Sequence, residues 1–287
     1  MKNILILGGT GLLGSHLCRF LGKYKKKYKV NVFKRNSINN FNNINFVNKF
    51  LKIGKFEFII NLSAITNVDQ CKKNKKLSKK VNFDIVKNIS KIINKNKLNT
   101  HLIQLSTDQV YNNYKNNTEE YCDIINYYAK TKILAEKEAK KINSTIIRTN
   151  FFGKSYNKKR LSFSDWVYNC LTKKKSIFVA SDILFSPIRI STLCKIIYLC
   201  ILKKKVGTFN IGSKKGFSKY RFSILFAKLL KLDTNLIIKT KLKNLNLNEK
   251  RHNDMRMNIK KFENTFKYKL PLLKNEIQKE SELYEQF

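Results

Sequence analysis

Lys2-Asn3-Ile4-Leu5-Ile6-Leu7-Gly8-Gly9-Thr10-Gly11-Leu12-Leu13-Gly14 is the stretch that decides the fold of this 287-residue chain. Ile4–Leu7 is a short apolar run of the kind that forms a buried strand, and Leu12–Leu21 reads as the helix that follows it. In the pattern Gly-x-x-Gly-x-x-Gly, Gly8 permits a tight turn and Gly11 lets the backbone approach a pyrophosphate. Gly14 lets the helix pack close to the strand. The open amides and the positive dipole end of a helix N-terminus suit phosphate oxygens. Gly8, Thr10, Gly11, Leu12, Leu13 and Gly14 are therefore the expected cradle of a dinucleotide.

Beyond this turn, short apolar runs alternate with longer helical segments. Val30–Phe33, Phe56–Leu62, His101–Leu105 and Thr145–Arg148 read as strands. Lys79–Asn94 is helical, with Val81, Ile85, Ile89 and Ile92 on one face, and Tyr127–Lys141 is a second clear helix. Alternating strands and helices imply βαβ units in an α/β fold with a doubly wound parallel sheet. Asn36–Asn48 is rich in asparagine and is expected to be a surface loop. After about residue 150 the pattern loosens, with helices expected over Ser164–Lys173, Ser191–Leu202 and Ser218–Leu230 and a strand over Thr208–Ile211. The expected division places a dinucleotide-binding domain over residues 1–150, with about 176–212 returning to it. Residues 151–175 and 213–287 then form a smaller C-terminal α/β lobe.

The end of the second strand distinguishes nicotinamide cofactors. A carboxylate there holds the ribose 2′-hydroxyl of NAD, and a cation accommodates the 2′-phosphate of NADP. Val32-Phe33-Lys34-Arg35 carries no acid, so Lys34 and Arg35 favour NADPH over NADH.

The chain holds 59 Lys+Arg against 19 Asp+Glu, a formal net charge of +40. A nucleic acid or an anionic membrane would suit such a charge. The lysines, however, are spread over the whole length, and arginine, the better bidentate reader of phosphate and bases, is scarce. The charge therefore reads as a surface bias, with no specific nucleic-acid partner. The longest apolar stretch, Ile190–Leu202, is interrupted by Lys195, so no membrane insertion is expected. Cys18, Cys71, Cys122, Cys170, Cys194 and Cys200 show no Cys-x-x-Cys spacing, which argues against a metal site and suits a reducing cytoplasm.

Tyr128-Ala129-Lys130-Thr131-Lys132 offers a tyrosine four residues before a lysine. In a chain this rich in lysine, roughly two such pairs arise by chance, and two occur: Tyr111/Lys115 and Tyr128/Lys132. Only the second lies in a helix, where the spacing puts both side chains on one face. Thr107 follows the carboxyl end of His101–Leu105, the edge of an open α/β sheet at which ligands bind.

With these residues in view, the chain resembles the extended short-chain dehydrogenase/reductases, and within them the dTDP-4-dehydrorhamnose reductase group. The resemblance rests on Gly8–Gly14, Asn61-Leu62-Ser63-Ala64, Val81-Asn82, Ser106-Thr107-Asp108, Tyr128–Lys132, Arg148-Thr149-Asn150-Phe151-Phe152-Gly153, Phe209-Asn210-Ile211-Gly212 and the region of Arg256. It implies a Rossmann-type sheet with a substrate-binding lobe, and reduction by NADPH or NADH of the 4-keto group of a 4-keto-6-deoxy nucleotide sugar, as a precursor of surface polysaccharide. It also implies residue roles. Tyr128 protonates the carbonyl oxygen, Lys132 binds the nicotinamide ribose and lowers the tyrosine pKa, and Thr107 orients the carbonyl. Leu62, Ser63 and Ala64 pass along the cofactor, while Asp108, Phe151 and Arg256 belong to the substrate pocket. A nucleotide-sugar epimerase or dehydratase would use the same Tyr and Lys, and Asp108 does not separate those reactions. A non-catalytic regulatory subunit on this fold is the other alternative, and the intact Thr107/Tyr128/Lys132 set argues against it. The resemblance leaves a homodimer open.

Overall fold

A computed structural model describes residues 1–33, 40–113, 117–157 and 160–285. The chain divides into two compact units. The first comprises Met1–Thr107, Ile124–Arg148 and Cys194–Phe209, and the second comprises Asp108–Asp123, Thr149–Leu193 and Asn210–Phe287.

The first unit is built as β1 (Lys2–Leu7), α1 (Leu12–Gly22), β2 (Tyr28–Phe33), α2 (Ile44–Gly54), β3 (Phe58–Asn61), α3 (Val68–Lys73), α4 (Lys75–Lys79), α5 (Ile85–Lys95), β4 (His101–Leu105), α6 (Tyr127–Ala139) and β5 (Ser144–Thr149). Its six-stranded sheet runs Gly207–Ile211, β5, β4, β3, β1, β2. β1 pairs in parallel with β2 on one side and β3 on the other, and β3, β4 and β5 continue in parallel. The connection from β1 runs to β2 on one side and the next one crosses back to β3 on the other, so the carboxyl ends of β1 and β3 flank the topological switch point where such sheets bind ligands. Ile4, Ile6, Phe58, Ile59 and Ile60 are fully buried, which accounts for apolar runs without alternation.

Two elements depart from the sequence expectation. Residues 44–48, assigned to a surface loop, open the helix α2. Asn43 caps it by accepting hydrogen bonds from the amides of Asn45 (3.0 Å) and Phe46 (3.2 Å). Phe46 and Phe50 then stack on its face, ring centroids 5.5 Å apart, beside Phe33 and Phe41. Residues 36–39 of the same segment lie outside the described residues. The helix expected over Lys79–Asn94 is not continuous: a π-helical turn, Lys80–Asp84, separates α4 from α5. Val86, Ile85, Ile89 and Ile92 still bury their apolar face, together with Leu102, Ala135 and Ala139.

The second unit gathers Phe152, Val167, Leu171, Phe185, Phe222, Phe226, Leu273, Ile277 and Tyr284 into its own core. The helix Phe163–Thr172 begins with a capping box between Ser162 and Asp165. The tail beyond residue 235 is ordered into a strand, Ile237–Thr240, and helices Lys260–Phe266 and Leu273–Glu285. Among the described residues every non-glycine residue with positive φ is a lysine: Lys55, Lys97, Lys174, Lys204, Lys215, Lys231 and Lys267. Lys55 and Lys267 terminate α2 and Lys260–Phe266 in the left-handed conformation.

None of the six cysteines is in a disulfide; only Cys122 is exposed. Burial pushes the thiols of Cys18, Cys71, Cys194 and Cys200 upward, that of Cys194 to about 12. Among the described residues no helix is long and apolar enough to cross a membrane.

Candidate active site

The glycine turn has the close approaches expected of a phosphate cradle. Gly8 sits at φ +82, and a Cβ on it would stand 2.9 Å from the Ser63 amide nitrogen. A Cβ on Gly14 would stand 2.2 Å from the Gly8 carbonyl oxygen. Side chains are therefore excluded at both positions, and the turn is drawn against β1 and the Leu62–Ser63 backbone. Gly11 is the N-cap of α1, no side chain caps that end, and no acid lies in its first turn. Its first amides thus present their donors and the positive dipole end to an anion. Leu13 is buried under the turn, Leu12 is half-buried and Thr10 is exposed. Lys34 and Arg35 lie outside the described residues.

The β3 end is knit to this turn and to β4. Leu62 donates its amide to the Leu7 carbonyl at 2.9 Å. Ser63 is buried, and both its amide (3.2 Å) and its hydroxyl donate to Asn61 Oδ1. Asn61 Nδ2 donates to Gln104 Oε1 at 2.9 Å, and Gln104 Nε2 to the Leu105 carbonyl at 2.8 Å. Leu62 and Ala64 remain half-buried along the loop.

α6 brings Tyr128 and Lys132 to the same edge. Asn126 caps the helix by accepting from the Ala129 amide at 2.9 Å. Tyr128 is 7% exposed and packs with Val68 and Cys71. One turn on, Lys132 is 3% exposed and its ammonium donates to the Leu105 carbonyl at 2.6 Å. Burial lowers the Lys132 pKa to about 8, opposed chiefly by the charge of Glu136. Thr107, two residues beyond that carbonyl, is 4% exposed. Tyr128, Lys132, Thr107 and the glycine turn thus all belong to the carboxyl edge of one parallel sheet.

Residues to which the sequence reading assigned no role hold this arrangement. Asn82, in the π-helical turn, accepts from the Ile65 amide (2.8 Å) and donates to the Ile65 carbonyl (3.1 Å) and Thr131 Oγ1 (3.0 Å). Glu136 continues the line of Tyr128 and Lys132 at the same four-residue step, which was a readable signal. Its carboxylate accepts from Ser106 and from Arg148.

Asp108, Phe151 and Arg256 are in the second unit. Asp108 is 1% exposed and accepts from Asn150 Nδ2 at 2.8 Å. Burial raises its pKa to about 6, opposed first by that hydrogen bond and also by the charge of Lys219. Phe151 lies half-buried in a short parallel pair with Ile188. The Arg256 guanidinium grips the buried Asp254 carboxylate with Nε at 2.9 Å and Nη2 at 2.5 Å, which raises its pKa further. Tyr111, of the discarded pair, is fully buried and donates to Asn210 Oδ1 at 2.6 Å, a structural bond; Lys115 lies outside the described residues.

Comparison with known proteins agrees with this fold. The family model described as the RmlD substrate binding domain matches residues 1–285. No curated protein matches the sequence. Among solved structures, a dTDP-4-dehydrorhamnose reductase from Clostridium acetobutylicum is 23% identical, with a TM-score of 0.90 over 99% of this chain and 100% of that one. The reductase of the same name from Bacillus anthracis, solved with NADP, is 20% identical, with a TM-score of 0.88 over 98% and 99% of the two chains. A dTDP-glucose 4,6-dehydratase from Bacillus anthracis, solved with NAD, superposes less closely, with a TM-score of 0.80 at 18% identity over 100% and 97%.

Proposed function

The chain belongs to the RmlD substrate binding domain family, and from that membership we propose that it is an NADPH-dependent reductase of the 4-keto group of a 4-keto-6-deoxy nucleotide sugar. The observation that carries the reading is the joint placement of Lys132 and Thr107. The Lys132 ammonium is hydrogen-bonded at 2.6 Å to Leu105, two residues before Thr107, with Tyr128 one turn away on the same helix.

The residues of the glycine turn fit a dinucleotide, because Gly8 and Gly14 leave no room for side chains and the α1 amides are open to phosphate. When bound, a reduced nicotinamide supplies hydride to the carbonyl carbon. Tyr128 gives its phenolic proton to the carbonyl oxygen, so that an alcohol is formed. A free phenol titrates near ~10, and the Lys132 cation lowers that value by favouring the phenolate. With its own pKa at about 8, Lys132 is still mostly protonated at neutral pH. Thr107 donates its hydroxyl hydrogen to the same oxygen and fixes its direction. Lys132 holds the nicotinamide ribose, and Leu62, Ser63 and Ala64 pass along the cofactor. Lys34-Arg35, with no carboxylate at the β2 end, supports NADPH over NADH.

The second unit, which holds Asp108, Phe151 and Arg256, supplies the nucleotide-sugar pocket in this reading, with those three residues lining it. A cytoplasmic enzyme feeding polysaccharide synthesis, acting as a homodimer, completes the reading. The test is NADPH oxidation followed at 340 nm with dTDP-4-keto-6-deoxy sugars. Turnover by the wild type and its loss in Tyr128→Phe is the expected result; tight NADPH binding without turnover of any nucleotide-sugar ketone overturns it.

A further inference from the structure

We propose that Glu136 is a positioning residue that sets Thr107 through Ser106, with Arg148 holding the carboxylate in place. Ser106 Oγ donates to Glu136 Oε1 at 2.5 Å. Arg148 Nε reaches Oε1 at 3.0 Å and Oε2 at 3.2 Å, and Nη2 reaches Oε2 at 2.7 Å. Glu136 and Arg148 are each 2% exposed and Ser106 is 5% exposed.

A buried ion pair of this kind is poor evidence for stability, since well-packed apolar side chains of the same volume do as well. What the pair provides is direction. The guanidinium fork leaves the carboxylate no rotational freedom, and the remaining lone pair of Oε1 points at residue 106. The Ser106 amide also donates to the Ile147 carbonyl at 2.6 Å, next to Arg148 in β5. Residue 106 is thereby held by its backbone from β5 and by its side chain from α6. Residue 105 is held through its carbonyl by Lys132. Thr107 is the next residue, so its hydroxyl inherits a backbone fixed on three sides. Reacting groups displaced by about 1 Å lose on the order of 10²-fold in rate.

The proposal rests on the reductase reading for its kinetic arm only. Ser106→Ala cuts the link and leaves the Glu136–Arg148 pair whole, and Ser106→Thr restores a hydroxyl. Four quantities are read in each: kcat and KM for the nucleotide-sugar ketone, the Kd for NADPH, the melting temperature, and deuterium uptake of the peptide covering residues 105–107. In Ser106→Ala the expected result is a kcat loss of about tenfold or more, with KM and the NADPH Kd within about twofold of wild type. Deuterium uptake rises at residues 105–107, and Ser106→Thr recovers both effects. Unchanged uptake at residues 105–107 overturns the proposal, as does wild-type kcat. So does a kcat loss that tracks a fall in melting temperature and is not recovered by Ser106→Thr. A wild type that turns over no ketone overturns the reductase reading alone, and the uptake measurement still decides the role of Glu136.

Discussion

Asn82 Nδ2 lies 3.0 Å from Thr131 Oγ1, and this hydrogen bond ties the π-helical turn to the helix that carries Tyr128 and Lys132. The same amide holds both backbone groups of Ile65. An i→i+5 turn inserts one residue into the helical path, and such insertions recur at functional sites. Here it delivers a side chain that is 1% exposed to a point between two elements. Asn82→Ala strands the Ile65 amide and carbonyl and is expected to cost about 2–4 kcal/mol, measured by urea unfolding. A loss below about 1 kcal/mol would show that the clamp contributes little.

Tyr128→Phe removes one hydroxyl from a ring packed against Val68 and Cys71. The ring and its packing remain, so NADPH affinity and melting temperature stay close to wild type. Turnover is expected to fall by about 10²–10⁴-fold, the usual contribution of a positioned acid. A loss of less than about tenfold would assign proton delivery to another group.

Asp108 and Glu280 make stability fall as pH rises. Burial lifts Asp108 from its ordinary 3.8 to about 6, and Glu280 from 4.5 to about 7. Each folded pKa is raised, so the favourable contribution is present below the unfolded value and is lost as pH climbs through the folded one. For Asp108 the full cost above pH 7 is on the order of 3 kcal/mol. Asp108→Asn keeps an oxygen for Asn150 and carries no charge. Its stability relative to wild type should improve by more than about 1 kcal/mol between pH 5 and pH 8. A difference that does not vary with pH rules out a buried, titrating Asp108.

Lys55→Gly and Lys267→Gly are each expected to stabilise the protein by about 0.5–1 kcal/mol. Both lysines hold left-handed backbone, at φ 42 and φ 50, after the last turn of a helix. A Cβ is unfavourable there, and the favourable lysine–dipole interaction offsets only part of the cost. Lys→Ala at the same positions keeps the Cβ and loses the charge, so it should destabilise. If glycine and alanine behave alike in thermal melts, left-handed strain is not what these sites carry.

The fold was legible wherever the pattern was apolar and local. Ile4–Leu7 and its glycines, and the four-residue step from Tyr128 to Lys132, each name their own surroundings. The helix α2 was hidden because Asn43 looks like any loop asparagine until Phe46 and Phe50 are seen against Phe33 and Phe41. The π-helical turn has no composition of its own. Nor does a sequence with 59 basic residues reveal which of them are buried. Arg148 pairs with Glu136 across 12 positions, and Lys132 differs from its solvated neighbours only in what the fold lays over it. Arg256, by contrast, binds an acid two residues away.

The cysteines and the single tryptophan give the molecule a built-in optical ruler. Cys122 is the exposed thiol, while the other five are buried or half-buried. Trp166 is also in the second unit. A maleimide acceptor at neutral pH therefore attaches chiefly at Cys122, with Trp166 as its donor. Energy transfer between them reports the compactness of the second unit alone, without mutation and without disturbing the helix that bears Tyr128.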